Sequence, residues 1–311
     1  MKVKSRIILT AVFSFCIIAL SNQTKAQQKE ARDYAAQAGS SAIGFVFNPV
    51  SGIRANSMFK AGDFIGNAIA AQGSSPYQMF ILADPMISLR YKYKITNVTA
   101  FRATVGFSGA KFNYKEYIQD DILFKEDPLS VEQVEDIIHF KMIGGGINLG
   151  LEFTGGTRNL RFVGGVGIVY SFGGGKMKFD YGNVMDDENP LPSTMPIIMD
   201  SLGSSGMYYD VNLASARPLK RYNVGVEHAF GLSFDAGIEW FFAKNLSIGA
   251  SVSFIPFIFA IQPETYTDFE GYSVEDDGVL NFTKKISSGS NYLLYGTENI
   301  GLMLSFNYYL K

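Results

Sequence analysis

The sequence predicts an all-β chain folded as an eight-stranded antiparallel up-and-down barrel. Three observations lead there. From Asn223 to Phe242 the residues alternate with a period of two. Even positions such as Val224, Phe230, Leu232, Phe234, Ile238 and Trp240 are apolar, whereas odd positions such as Gly225, Glu227, Ser233, Asp235, Gly237 and Glu239 are small, polar or acidic. Successive side chains of a strand point to opposite faces, so this segment has one greasy face and one polar face, and no amphipathic helix gives that pattern. Second, eight such segments occur, joined alternately by short and long connections. Third, 32 glycines and a mean hydropathy near zero suit a wall in which only alternate residues are greasy.

In chain order, the N-terminus comes first. Lys2, Lys4 and Arg6 precede an apolar stretch from Ile7 to Leu20, and a short polar stretch ends at Ala26. That is the layout of a cleaved secretory signal, too short to cross a bilayer comfortably as a helix. Residues 1–26 are expected to be removed and 27–311 to form one barrel domain. The only cysteine, Cys16, lies in the apolar stretch. The remaining chain then has no thiol for a disulfide, a nucleophile or a metal. Removing Lys2, Lys4, Arg6 and Lys25 from 27 basic residues leaves 23 against 29 acidic ones, a net of −6. No basic cluster suggests a nucleic-acid partner.

The strands follow at about 41–48, 85–96, 98–113, 139–153, 160–180, 222–242, 245–261 and 298–310. Residues 96–97, 154–159 and 243–245 make short turns. Residues 49–84, 114–138, 181–221 and 262–297 make long loops. Three short turns and four long loops fit eight strands whose two ends lie on one side. In lipid an open sheet edge would expose unpaired amides, so the first strand should close against the last. A ring of that size is about wide enough for its own side chains to fill. The seventh strand contains Pro256, which cannot donate to a ladder, so a bulge is expected there. If the register holds past it, Phe257 and Phe259 face the lumen and form an apolar-ligand lining. If the bulge shifts the phase by one, they face outward.

The inward face carries charge. Arg90 and Lys92 come from the second strand, Arg102 from the third and Arg161 from the fifth. Glu152 comes from the fourth, and Glu227, Asp235 and Glu239 from the sixth. These eight residues form a candidate lumen network. They read either as an ion path with catalytic carboxylates or as salt bridges that plug a narrow lumen, and the second is simpler because buried charges need partners. Tyr93, Phe101, Phe153, Trp240, Phe242, Phe306 and Tyr308 gather near the short turns, as an interfacial aromatic girdle would.

Among the loops, 114–138 carries eight acidic residues against Lys115 and Lys125, a net of −6. Ser130 and Gln133 have capping-box spacing, which predicts a short helix after Ser130. The acids lack the spacing of a calcium loop, so a solvated acidic loop is the simpler reading and no metal or cofactor is expected. In 49–84, Phe59, Phe64, Ile65 and Ile69 among alanines predict a short helix against the barrel mouth or a partner surface. Only His139 and His228 are present, and no nucleophile elbow, metal-histidine pair or phosphate loop occurs. The chain is expected not to be an enzyme.

Asn299 to Lys311 alternates again and ends on Tyr308–Tyr309–Leu310–Lys311. With the signal, the alternating strands and the loop pattern, the whole mature chain resembles small bacterial outer-membrane β-barrel proteins of the OmpA-barrel, OmpX and OmpW type. The terminal Lys departs from the aromatic ending of that class. The resemblance implies a membrane-spanning barrel with short periplasmic turns and long extracellular loops. It implies export to the cell outer membrane, outer-membrane lipid around the wall, and the barrel assembly machinery as a partner during insertion. A structural, surface-interaction role toward an extracellular or envelope protein leads. Binding or passage of small apolar molecules, as in OmpW-like barrels, and a lipid-modifying outer-membrane enzyme are the alternatives.

Overall fold

The computed structural model describes residues 36–48, 87–157, 159–195, 213–296 and 300–310. The expected signal and the expected helix in 49–84 lie outside the described residues. The elements are β1 (Ser41–Phe47), β2 (Ile87–Lys94), β3 (Thr99–Gln119), α1 (Asp121–Glu126), β4 (Gln133–Thr157), β5 (Leu160–Asp180), β6 (Leu213–Ala243), β7 (Leu246–Gln262), β8 (Thr265–Ser273), β9 (Gly278–Ser287), β10 (Ser290–Tyr295) and β11 (Ile300–Leu310). Consecutive strands β1 to β7 pair antiparallel, β7 pairs β11, and β11 pairs β1. The ring closes from Ser41↔Leu310 to Phe47↔Leu304. It is an eight-stranded up-and-down barrel.

Turn chemistry sets the lower end. Thr96 Oγ1 accepts from the Val98 and Thr99 amides at 3.1 and 2.9 Å, which tightens the β2–β3 turn. Asn245 takes the left-handed φ of 69° that Asn tolerates, which turns β6 into β7. The seven girdle aromatics all point outward beside these turns and are exposed.

The wall has two zones, and the change between them is written in the phase of the apolar residues. Low on β3, Phe101, Val105 and Phe107 face outward; low on β4, so do Phe153, Leu151, Leu149, Ile147 and Ile143. Phe153 to Ile143 is roughly 25 Å at a rise of ~3.3 Å and a tilt of ~40°, the height of a lipid-facing band. Above it the faces exchange chemistry. Lys111 and Asn113 on β3, Lys141 and His139 on β4, and Lys176 and Lys178 on β5 now point out. Ile138, Phe140, Met177 and Phe179 now point in and are buried, packed with Phe112, Tyr114 and Met142. This upper crown is an ordinary water-facing sheet, dry within and polar without.

The crown replaces much of what the sequence predicts as loop. β3 runs to Gln119 and β4 starts at Gln133, so the 114–138 loop shrinks to α1 and a turn. The helix lies before Ser130, not after it. Asp120 is its N-cap, accepting from the Ile122 and Leu123 amides at 3.1 Å each. Residues 213–222 extend β6 upward, where β8 rather than β7 becomes its partner. The exchange occurs at Asn223 and Gly225, with φ of 55° and 61°. Asn223 Nδ2 donates to the Glu264 carbonyl at 2.7 Å and holds the branch point.

The segment 181–195 is fastened to the crown. Met195 is fully buried in its core. The Asp136 carboxylate accepts from the Gly182 and Met195 amides at 2.9 and 3.0 Å. Burial pushes this carboxyl above its usual range, although the two amides pull it down. Asp121 Oδ2 accepts from Asn189 Nδ2 at 3.0 Å and from the Ser193 amide at 2.6 Å. Asp120, Asp121 and Asp136 are thus structural fasteners, while Glu126, Asp127 and Glu132 of the same run stay exposed.

Candidate functional site: the lumen

Period two on β2 aims Arg90, Lys92 and Lys94 inward, and all three are buried. Arg102 enters from β3, Glu152 and Thr154 from β4, and Asp235 and Glu239 from β6. Lys92 Nζ sits 2.8 Å from Glu152 Oε1 and 3.4 Å from Glu239 Oε2. Arg102 pairs with Asp235 and approaches Glu152 Oε2 at 4.0 Å. Glu239 Oε1 also accepts from Ser247 Oγ at 2.6 Å, Asn307 Nδ2 at 2.8 Å and Tyr309 Oη at 3.0 Å. Lys94 Nζ donates to Thr154 Oγ1 at 2.8 Å. Beneath the ions, Ala42, Phe241 and Tyr309 form a small buried cluster. Gly167 provides room: a Cβ there would come within 2.5 Å of Asn148 Oδ1 and 3.0 Å of Ser233 Oγ.

Of the eight predicted network residues, Lys92, Arg102, Glu152, Asp235 and Glu239 are in mutual contact. Arg90 lies beside them, its Nε donating to Thr104 Oγ1 at 3.3 Å. Two predicted members are not in this cluster. Arg161 stays at the lower rim, where its Nη1 donates to the Gly156 carbonyl at 2.9 Å. Glu227 lies eight residues above Asp235 on β6 and accepts from Tyr292 Oη. That separation is roughly 26 Å along the strand, so sharing a face does not bring the two together. Lys94, Ser247, Asn307 and Tyr309 join the site without having been singled out. Lys94 shares the parity of Arg90 and Lys92, which is the signal that marks it.

Phe257 and Phe259 do not line the lumen. They face outward, 52% and 42% exposed, while Ile258 and Ala260 are buried. Leu232 pairs with Phe257 and Phe234 with Phe254, so Ile255 and Pro256 together oppose Ser233. This bulge moves the phase by one residue and exchanges the faces.

His139 Nδ1 and Nε2 meet Asn113 Oδ1 at 2.9 Å and Asp180 Oδ2 at 2.8 Å. His228 Nδ1 meets the Tyr170 hydroxyl at 2.9 Å. Among the described residues no group of three or more His, Cys, Asp or Glu could hold a metal ion.

No protein-family model matches the chain, and no curated protein matches its sequence. Among solved structures, it is similar to the attachment invasion locus protein Ail of Yersinia pestis, at 12% identity over 88% of this chain and 99% of that one, with a TM-score of 0.28. It is also similar to the outer membrane protein AlkL, at 13% identity over 92% and 97% of the two chains, with a TM-score of 0.32. The fold itself rests on the closed ring and its outward apolar band, not on these remote likenesses. By that ring and that band, the chain is a small membrane-spanning β-barrel.

Proposed function

We propose that the chain is a non-enzymatic outer-membrane protein that holds its crown at the cell surface for a structural or interaction role, with its lumen closed by its own side chains. Short turns then face the periplasm, outer-membrane lipid surrounds the band, and the barrel assembly machinery inserts the chain after export. An extracellular or envelope protein is the partner class the crown would serve. The observation that carries this reading is the plug. Lys92, Arg102, Glu152, Asp235 and Glu239 reach across from four strands, and the buried Phe241 and Tyr309 rings pack together below them. Passage of small apolar molecules loses its expected lining, since Phe257 and Phe259 turn to the lipid side. For a lipid-modifying enzyme, the described hydrogen-bonding partners of His139 and His228 are Asn113, Asp180 and Tyr170.

Planar-bilayer recording of the purified protein tests the reading. Little steady conductance is expected. Large, stable, porin-like currents would replace it with a transport function.

A further inference from the structure

Just above the apolar band, three lysines stand side by side on the outer wall. Lys111 on β3 is in register with Lys141 on β4, and Lys141 with Lys176 on β5. All three are exposed, and no described residue forms a hydrogen bond or ion pair with them. Like charges directly opposite one another across strands destabilise a sheet. The next cations up are treated differently. Lys178 and His139 share Asp180 at 2.7 and 2.8 Å, and Lys115 meets Glu135 at 2.7 Å. Of these cations, only the row nearest the band lacks counter-charge among the described residues.

Height explains the difference. Lys141 is two residues above Ile143, the highest exposed apolar residue of β4, or roughly 5 Å along the axis. Lipid phosphates lie at that level, and flexible lysine stems reach toward them while keeping the ammonium groups in the polar layer. We propose that Lys111, Lys141 and Lys176 form a clamp for the phosphate groups of a lipid seated against the β3–β5 wall. The clamp rests on the membrane-barrel reading above. The bound phosphate supplies the charge that the row lacks and fixes the barrel's depth on that side.

The test uses the full folded protein in neutral detergent, with bisphosphorylated lipid A as probe and native mass spectrometry to count retained lipid. Heat-modifiable migration first establishes that each protein is a folded barrel. The K111Q/K141Q/K176Q variant is expected to retain the probe about tenfold less than the parent. K284Q/K285Q, which alters exposed lysines on β9, should retain it fully. Dephosphorylated lipid A should bind the parent as weakly as the triple variant binds the intact probe. If the triple variant fails to fold, K141Q alone carries the test, with a several-fold loss expected. Equal retention by parent and variant would overturn the clamp and leave the barrel reading intact. So would an equal loss in K284Q/K285Q, or full competition by millimolar inorganic phosphate, which would point to general charge or a soluble anion. A parent protein with no heat-modifiable form would bring down the barrel reading, and the clamp with it.

Discussion

At the scale of single residues, Glu239 is the most heavily used group in the lumen. One carboxylate oxygen accepts from Ser247, Asn307 and Tyr309, and the other faces Lys92. Removing one partner of a buried pair leaves the other charge uncompensated, at roughly 3–5 kcal/mol in a dry interior. Lys92 keeps Glu152, which softens the loss. Glu239→Ala should therefore destabilise the barrel by about 3 kcal/mol in urea unfolding from lipid vesicles. Glu239→Gln, which keeps an oxygen acceptor, should cost less. Equal stability of the alanine variant and the parent would show that the network is a passenger. Membership of that network was readable from strand parity for Lys92, Arg102, Glu152, Asp235 and Glu239. Contact was not, because parity fixes a face but not a height, and Arg161 and Glu227 share the face at other levels.

At the scale of elements, β7 shows how one residue redirects a strand. Pro256 cannot pair, the ladder takes in an extra residue, and everything beyond changes sides. Phe257 then meets lipid between mid-depth and the upper edge of the band. Phe257→Arg should cost about 2 kcal/mol of folding stability, less than at the midplane and more than at the interface. An unchanged or raised stability would place the side chain in the polar lumen instead. The ring strands were legible because one face repeats over many residues. β8 to β10 were not. Tyr266, Phe269 and Tyr272 lie among Gly, Ser and Asp, and β9 is largely exposed, so no greasy face repeats. The upper ends of β3 and β4, residues 114–119 and 133–138, were missed for a related reason. Their apolar residues move to the other parity above Lys111 and Lys141, and an inverted phase reads as the end of a strand when it marks the end of the lipid.

At the scale of the whole molecule, the inversion divides a band built for hydrocarbon from a crown built for water. β4, at 25 residues, is roughly 60 Å tall at the usual rise and tilt, more than twice the band. If the crown stands outside the cell, peptide tags inserted beside Asp187 and Glu275, both exposed, should be labelled on intact cells. Labelling only after permeabilisation would turn the barrel over.

The seam between β1 and β11 has a consequence in time. Phe47 meets Leu304 across nearly the full length of the chain. Until β11 is in place, β1 and β7 each keep a bare row of amides along one side. Every other junction of the ring, β7 with β11 included, joins strands far closer in sequence and can form earlier, so this one sets the pace. Until then the open edges of β1 and β7 can pair with each other or with another copy. The docking of β11 decides when the ring becomes a barrel at all.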